Sequence, residues 1–300
     1  EETGLFEDIA VYVKIFILLS LATLGIVFYD GDFSALNFFN KGYMSPVAGF
    51  AIIFVSYEGF QLITYDYNEI ESVEHNLPRG MYLAILIAIL IYVSVSFMAT
   101  LQLTPQQLMA HEEVALAEAV SKIPYLEGAG FTLVILSALK STSSGINATL
   151  FGASRLAHRV ATEKDLPRVF SFRNSRGIPV YSLVIMGTIT AIFTAVGSLK
   201  TITEFGSVAF LLADAAANYT GLITADETDA NPLIPALGLG GTLIALPILI
   251  YHLYVHQVQI LFYIGGIFLV VAILEFIYME RNELQEFIAI AQEDSNGTYE

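Results

Sequence analysis

Eight times along 300 residues the sequence turns apolar for about twenty positions, the length an α-helix needs to cross the hydrocarbon of a bilayer. The runs cover 9–29, 45–66, 80–102, 128–153, 179–197, 203–224, 232–254 and 260–279. Nothing else in the chain restricts its fold as strongly. An outer-membrane barrel would show strands alternating over about ten residues. A soluble chain would spread its apolar residues in helical or two-residue periods. Composition agrees, with 55% hydrophobic and 14% charged residues, against about 25% charged in soluble domains. The expectation is an all-α polytopic membrane protein with eight transmembrane helices.

The basic residues orient it. Arg155, Arg159, Lys164, Arg168, Arg173 and Arg176 lie between the fourth and fifth runs, six of thirteen Lys and Arg in the chain. Loop 154–178 is therefore expected in the cytoplasm of a plasma-membrane protein. Alternating crossings then put Glu1, Arg79 and the acidic tail 280–300 on the same side, with Lys41, Lys122 and Lys200 outside. The opening EETGLFED lacks a basic start and a short apolar stretch, so it reads as a processed or truncated segment without a signal peptide. The net charge of −16 sits in loops and tail and argues against nucleic acid as a partner. With no Cys, disulfides and thiolate metal sites are excluded. The five His are scattered, and His252 and His256 at a helix end have no carboxylate beside them, so no metal or organic cofactor is expected. No nucleophile and base pair marks an enzyme.

One outer segment carries its own start signal. LTPQQLMAHEEVALAEAVSKI offers Thr104 as N-cap, Pro105 at the first helical position and Gln107 at the capping-box position. Leu108, Val114, Leu116, Ala119 and Val120 then form an apolar face. A short amphipathic helix is expected on the outer mouth, either as a plain surface element or as a lid.

Three features break the apolar pattern. FVSYEGF, inside the second run, sets Glu58 beside Gly59. A carboxylate at that depth costs several kcal/mol unless paired, protonated or hydrated. Gly59 lets the backbone leave the helix, and non-helical backbone survives there only when it lines a cavity or is buried in protein. An intact helix whose Glu58 bonds to a neighbour fits the same residues. Lys14, near the cytoplasmic end of the first run, either snorkels to the interface or serves inside the protein. SALKSTSSGINATLF, in the fourth run, crowds Lys140, Ser141, Thr142, Ser143, Ser144 and Asn147 together. Such hydroxyls serve as helix-packing glue or as an oxygen-lined site.

At these residues the chain resembles amino-acid permeases of the amino acid, polyamine and organocation superfamily. FVSYEGF followed by NEIESVEHNLPRGMYLAI resembles their sixth helix and following loop. STSSGINATLFGASRLAHRVATEKDLPRVFSFRNSRGIPVYS resembles their eighth helix, basic loop and ninth helix. The resemblance covers nearly the whole chain and implies the leucine-transporter fold, with a broken helix near Ser56 to Gly59. It assigns 1–43 to the fifth helix and its outer loop, 44–224 to the second inverted repeat, and 225–279 to the two last helices. The first four helices would be absent.

The resemblance also implies a site. Phe54, Val55, Ser56, Tyr57, Glu58, Gly59 and Phe60 would form the substrate wall, with carbonyls near Ser56 and Tyr57 receiving the ammonium and Phe60 closing over the side chain. Asn147 would line the side-chain pocket. Thr142, Ser143 and the Leu139 carbonyl match sodium positions of sodium-coupled relatives. Lys14 matches a lysine whose ammonium takes that place in proton-coupled members. Glu58 departs from the commoner pattern and would select a cationic side chain, carry a coupling proton or pair with Lys140. The implied function is secondary active amino-acid transport by alternating access, as symport or exchange, coupled to protons or alternatively sodium. A sensor or structural membrane subunit of the same fold would bind an amino acid without moving it.

Overall fold

The computed structural model describes residues 2–31, 33, 42 and 45–296. Glu1, Lys41 and the last four residues of the tail lie outside the described residues. In chain order the helices are α1 Glu2–Val27, α2 Ser45–Ile52, α3 Val73–Gln102, α4 Pro105–Ala110, α5 Ala115–Ser121, α6 Glu127–Thr162, α7 Val180–Val196, α8 Leu199–Ile223, α9 Ala225–Thr228, α10 Leu233–His256 and α11 Val258–Asn296. Among the described residues, 3-10 segments at Phe54–Tyr57, Phe60–Glu69 and Arg168–Ser171 join them. There is no strand among the described residues.

The chain is a polytopic all-helical protein. α3, α6, α10 and the Val258–Tyr278 part of α11 are long and apolar enough to cross a membrane, and Val11–Val27 and Val180–Val196 are shorter apolar helices. α8 has the length, at 25 residues, but Lys200, Glu204, Asp214 and Asn218 dilute its apolar character. The second run is not one helix: α2 stops after 8 residues and 3-10 backbone follows.

Helix ends depart from the apolar runs in a consistent way. α3 starts at Val73 and carries Pro78 inside it, α6 continues to Thr162 through Arg155 and Arg159, and α11 continues to Asn296 through the acidic tail. Hydropathy marks where lipid ends. The hydrogen-bond ladder needs only residues that tolerate helix, and charged ones do.

Two compact units make up the chain, and each is described by itself. The first contains α1 and the stretch Gly59–Thr149. Its core joins Leu21 and Ala22 of α1, Met98 of α3, Ala117, Ala119 and Val120 of α5, and Val134 of α6, with Leu103 and Ile123 between helices. Gly25 is required there, because a Cβ would run into Met98 and come within 3.1 Å of Ile123. Gln102 Nε2 donates to the Gly25 carbonyl at 2.8 Å, fastening α3 to α1.

The outer segment follows its start signal and then differs from it. Thr104 Oγ1 accepts from the Gln107 N–H at 3.3 Å, and the Thr104 N–H donates to Gln107 Oε1 at 3.0 Å, closing the capping box. The expected single helix is two, α4 and α5, separated by a turn at His111–Val114. Ala117, Ala119 and Val120 are 1% exposed or less, so α5 is sealed into the core of its unit. Removing the cap should be felt locally. Thr104→Ala is expected to cost about 1 kcal/mol of α4 stability and to speed amide hydrogen exchange across 105–110 about fivefold, leaving α3 unchanged.

The second unit contains α2, the turn up to Glu58, and the chain from Leu150 onward. Ala51 of α2, Val208 and Leu211 of α8, Ala245, Leu249 and Leu253 of α10, and Ile264 of α11 form its core. Phe205 of α8 adds aromatic contacts to Phe193 of α7 and Phe268 of α11, at 5.2 and 6.1 Å between ring centres. Near the start of α7, Ser182 Oγ donates to the Phe170 carbonyl at 2.7 Å, and midway along α11 Tyr278 donates to the Leu166 carbonyl at 2.8 Å. The basic loop is thereby held on α7 and α11.

Candidate functional site

In the second unit the interruption begins at Ile53, whose N–H makes the last α-type bond, to the Gly49 carbonyl at 3.1 Å. The chain then tightens: the Ser56 N–H bonds to the Ile53 carbonyl at 2.9 Å and the Glu58 N–H to the Val55 carbonyl at 3.1 Å. Glu58 is extended at φ −75°, ψ 157°, and Gly59 is left-handed at φ 113°, ψ −17°. A side chain at Gly59 would be strained, which is why glycine stands there. The break was expected near Ser56 to Gly59, and the helix already ends at Ile52, four residues before Ser56.

A break within a membrane must find partners for the backbone groups it releases. Ser207 of α8 supplies them. Its Oγ donates to the Ile52 carbonyl at 2.7 Å and accepts the Val55 N–H at 3.2 Å, and the residue is fully buried. The next residue back, Gly206, lets the turn approach, since a Cβ there would lie 2.9 Å from Val55 Cγ2. Phe54 packs edge-on against Phe50 at 6.0 Å and joins the core. Beyond the turn, the side chain of Glu58 is hydrogen-bonded to that of Asp214. Ser207, Gly206 and Asp214 were not among the expected site residues. They lie about 150 residues further along the chain; Ser207 and Gly206 read there as ordinary members of an apolar helix, whereas the carboxylate of Asp214 inside the run 203–224 was a signal of the same kind as Glu58.

In the first unit, the Gly59 N–H donates to Gln61 Oε1 at 2.9 Å, and half-buried Phe60 opens the second 3-10 segment. Half-buried Lys14 of α1 reaches across to α6, where its Nζ donates to Ser141 Oγ at 3.2 Å. The residues implied as ion ligands are bonded to their own helix: Thr142 Oγ1 to the Ala138 and Leu139 carbonyls at 2.9 and 3.1 Å, and Ser143 Oγ to the Leu139 carbonyl at 2.8 Å. Lys140 and Asn147 are exposed on α6. A signal for Ser141 was available. Ser137, Ser141 and Ser144 recur at the helical i, i+4, i+7 spacing and form a half-buried stripe, whereas Thr142 and Ser143 face outward. His252 and His256 stack at 4.5 Å, and among the described residues no group of three His, Cys, Asp or Glu is placed to hold a metal ion.

The second unit thus holds an interrupted helix clamped by α8, and the first holds a half-buried amine bonded to a hydroxyl. The sequence model of the amino acid permease family matches residues 1–291. The chain belongs to the amino acid permease family. It is 27% identical over 279 residues to an uncharacterized protein of Methanocaldococcus jannaschii, covering 92% of this chain and 62% of that one. It is 26% identical over 287 residues to the inner membrane transport protein YbaT of Escherichia coli, covering 93% and 64%. A shorter likeness, 27% over 204 residues, links it to the Asc-type amino acid transporter 1 of Mus musculus, covering 65% and 38%. This permease chain thus spans less than two thirds of the length of these relatives.

Proposed function

We propose that this permease chain carries one wall of the substrate site and the coupling amine of an amino-acid transporter working by alternating access in the plasma membrane. The observation that supports it most is the Ile53–Gly59 interruption held open by Ser207, because such a break presents backbone groups to a ligand at membrane depth. Carbonyls at Ser56 and Tyr57 receive the ammonium of an amino acid, Phe60 closes over its side chain, and Asn147 contributes to the pocket. The carboxyl pair Glu58 and Asp214 takes either a coupling proton or a cationic side chain. Lys14, tied to Ser141, is the proton-coupling group; Leu139, Thr142 and Ser143 are the ligands of the sodium alternative. Loop 154–178 and the C-terminus face the cytoplasm.

Counterflow in proteoliposomes made from the protein that carries this chain tests transport itself. Trapped unlabelled amino acid should draw labelled amino acid inward; a sensor would bind label without exchanging it. For the pocket, Phe60→Ala is expected to weaken substrate binding by about tenfold, the scale of losing one aromatic contact. Unchanged affinity would remove Phe60 from the site.

A further inference from the structure

The buried face of α8 carries a carboxylic acid that the site above does not use. Glu204 is 0% exposed and sits one turn before Val208 on the face that packs on α10. Its Oε1 accepts from Gln257 Nε2 at 2.8 Å, at the residue between α10 and α11. Its Oε2 is buried without any hydrogen-bond partner among the described residues. The charged and titratable groups around it are few: Lys200 four residues earlier on α8 is exposed, and His252 and His256 of α10 are stacked on each other, with His256 Nδ1 close to the His252 carbonyl. The aromatic rings of Phe193 and Phe268 meet Phe205 beside it from α7 and α11. The described ion pairs, Glu118 with Lys122 and Arg159 with Glu163, do not include it.

A carboxylate in that place would leave a full negative charge buried with one neutral amide for company, far costlier than a neutral acid with one unmet oxygen. Glu204 is covered completely by this chain's own atoms, so no group from elsewhere can neutralise it without opening the packing. We propose that Glu204 is a proton-binding site, carrying its proton when α8 is packed on the α10 to α11 turn. Release of the proton, from carboxylic acid to carboxylate with the proton passing to water, requires water or a cation to enter, and so requires that junction to part. Proton binding and closure of the junction are then one equilibrium.

The test needs no transport and so stands or falls separately from the reading above. Infrared spectra of the purified full-length protein at neutral pH are expected to contain a protonated-carboxyl C=O band that Glu204→Gln removes. On raising the pH, the wild type should lose this band and show faster amide hydrogen exchange at 199–211 and 250–262, while Glu204→Gln exchanges at a pH-independent opening rate. Equal carboxyl bands in the two proteins would overturn the proposal. If Glu204→Gln does not fold, the wild-type titration decides alone: exchange at the junction that shows no opening with pH, beyond the intrinsic chemical dependence, would also overturn it.

Discussion

Lys14→Met is expected to abolish uptake driven by a proton gradient while leaving counterflow of amino acid measurable. The 3.2 Å bond from Lys14 Nζ to Ser141 Oγ joins α1 to α6. The ammonium of Lys14 makes a charge-assisted bond of about 1.5–3 kcal/mol. Losing a tie of that size shifts a two-state equilibrium by about tenfold or more. Methionine fills the same space and cannot change charge, so the proton can no longer bias the equilibrium. Exchange needs only the conformational change and should continue. Accumulation that persists in Lys14→Met with its pH dependence intact would show that the coupling proton is bound elsewhere.

Ser207→Ala is expected to weaken the apparent affinity for substrate about 5- to 100-fold with a smaller effect on the amount of folded protein. The hydroxyl is the partner of both the Ile52 carbonyl and the Val55 N–H, and it is fully buried. Deleting it strands two buried backbone groups, at about 1–3 kcal/mol for such a loss. The turn can relieve this by re-forming helix through Ile53, which would withdraw the backbone at Ser56 and Tyr57. Ser207→Thr keeps the hydroxyl and should recover most of the affinity. Binding measured by scintillation proximity on the purified protein checks both variants; equal affinity in wild type and Ser207→Ala would show that the turn holds its shape without α8.

The interruption itself was legible, because a carboxylate next to a glycine inside an apolar run contradicts an uninterrupted membrane helix. What holds the interruption was not. Ser207, Gly206 and Asp214 gain their roles only from the packing of α8 on the turn, and a serine or glycine in an apolar helix has too many ordinary explanations to be singled out. Ser141 falls between these cases: its helical spacing with Ser137 and Ser144 was visible, but the match of Thr142 and Ser143 to a family pattern drew the reading one residue away. The apolar runs coincide with helices, four of them long and apolar enough to cross a membrane, but miss the start of α3 and the ends of α6 and α11, because solvation and helix formation stop at different residues.

The segment Phe60–Glu69 has a length consequence. Its 10 residues are wound as 3-10 helix, although runs of that kind longer than three or four residues are uncommon. At about 2.0 Å per residue they extend roughly 20 Å, whereas the same residues as α-helix would extend roughly 15 Å. Rewinding would shorten the stretch by about 5 Å, close to one α-helical turn, without unfolding it. The chain therefore holds a reserve of contour length directly after Gly59.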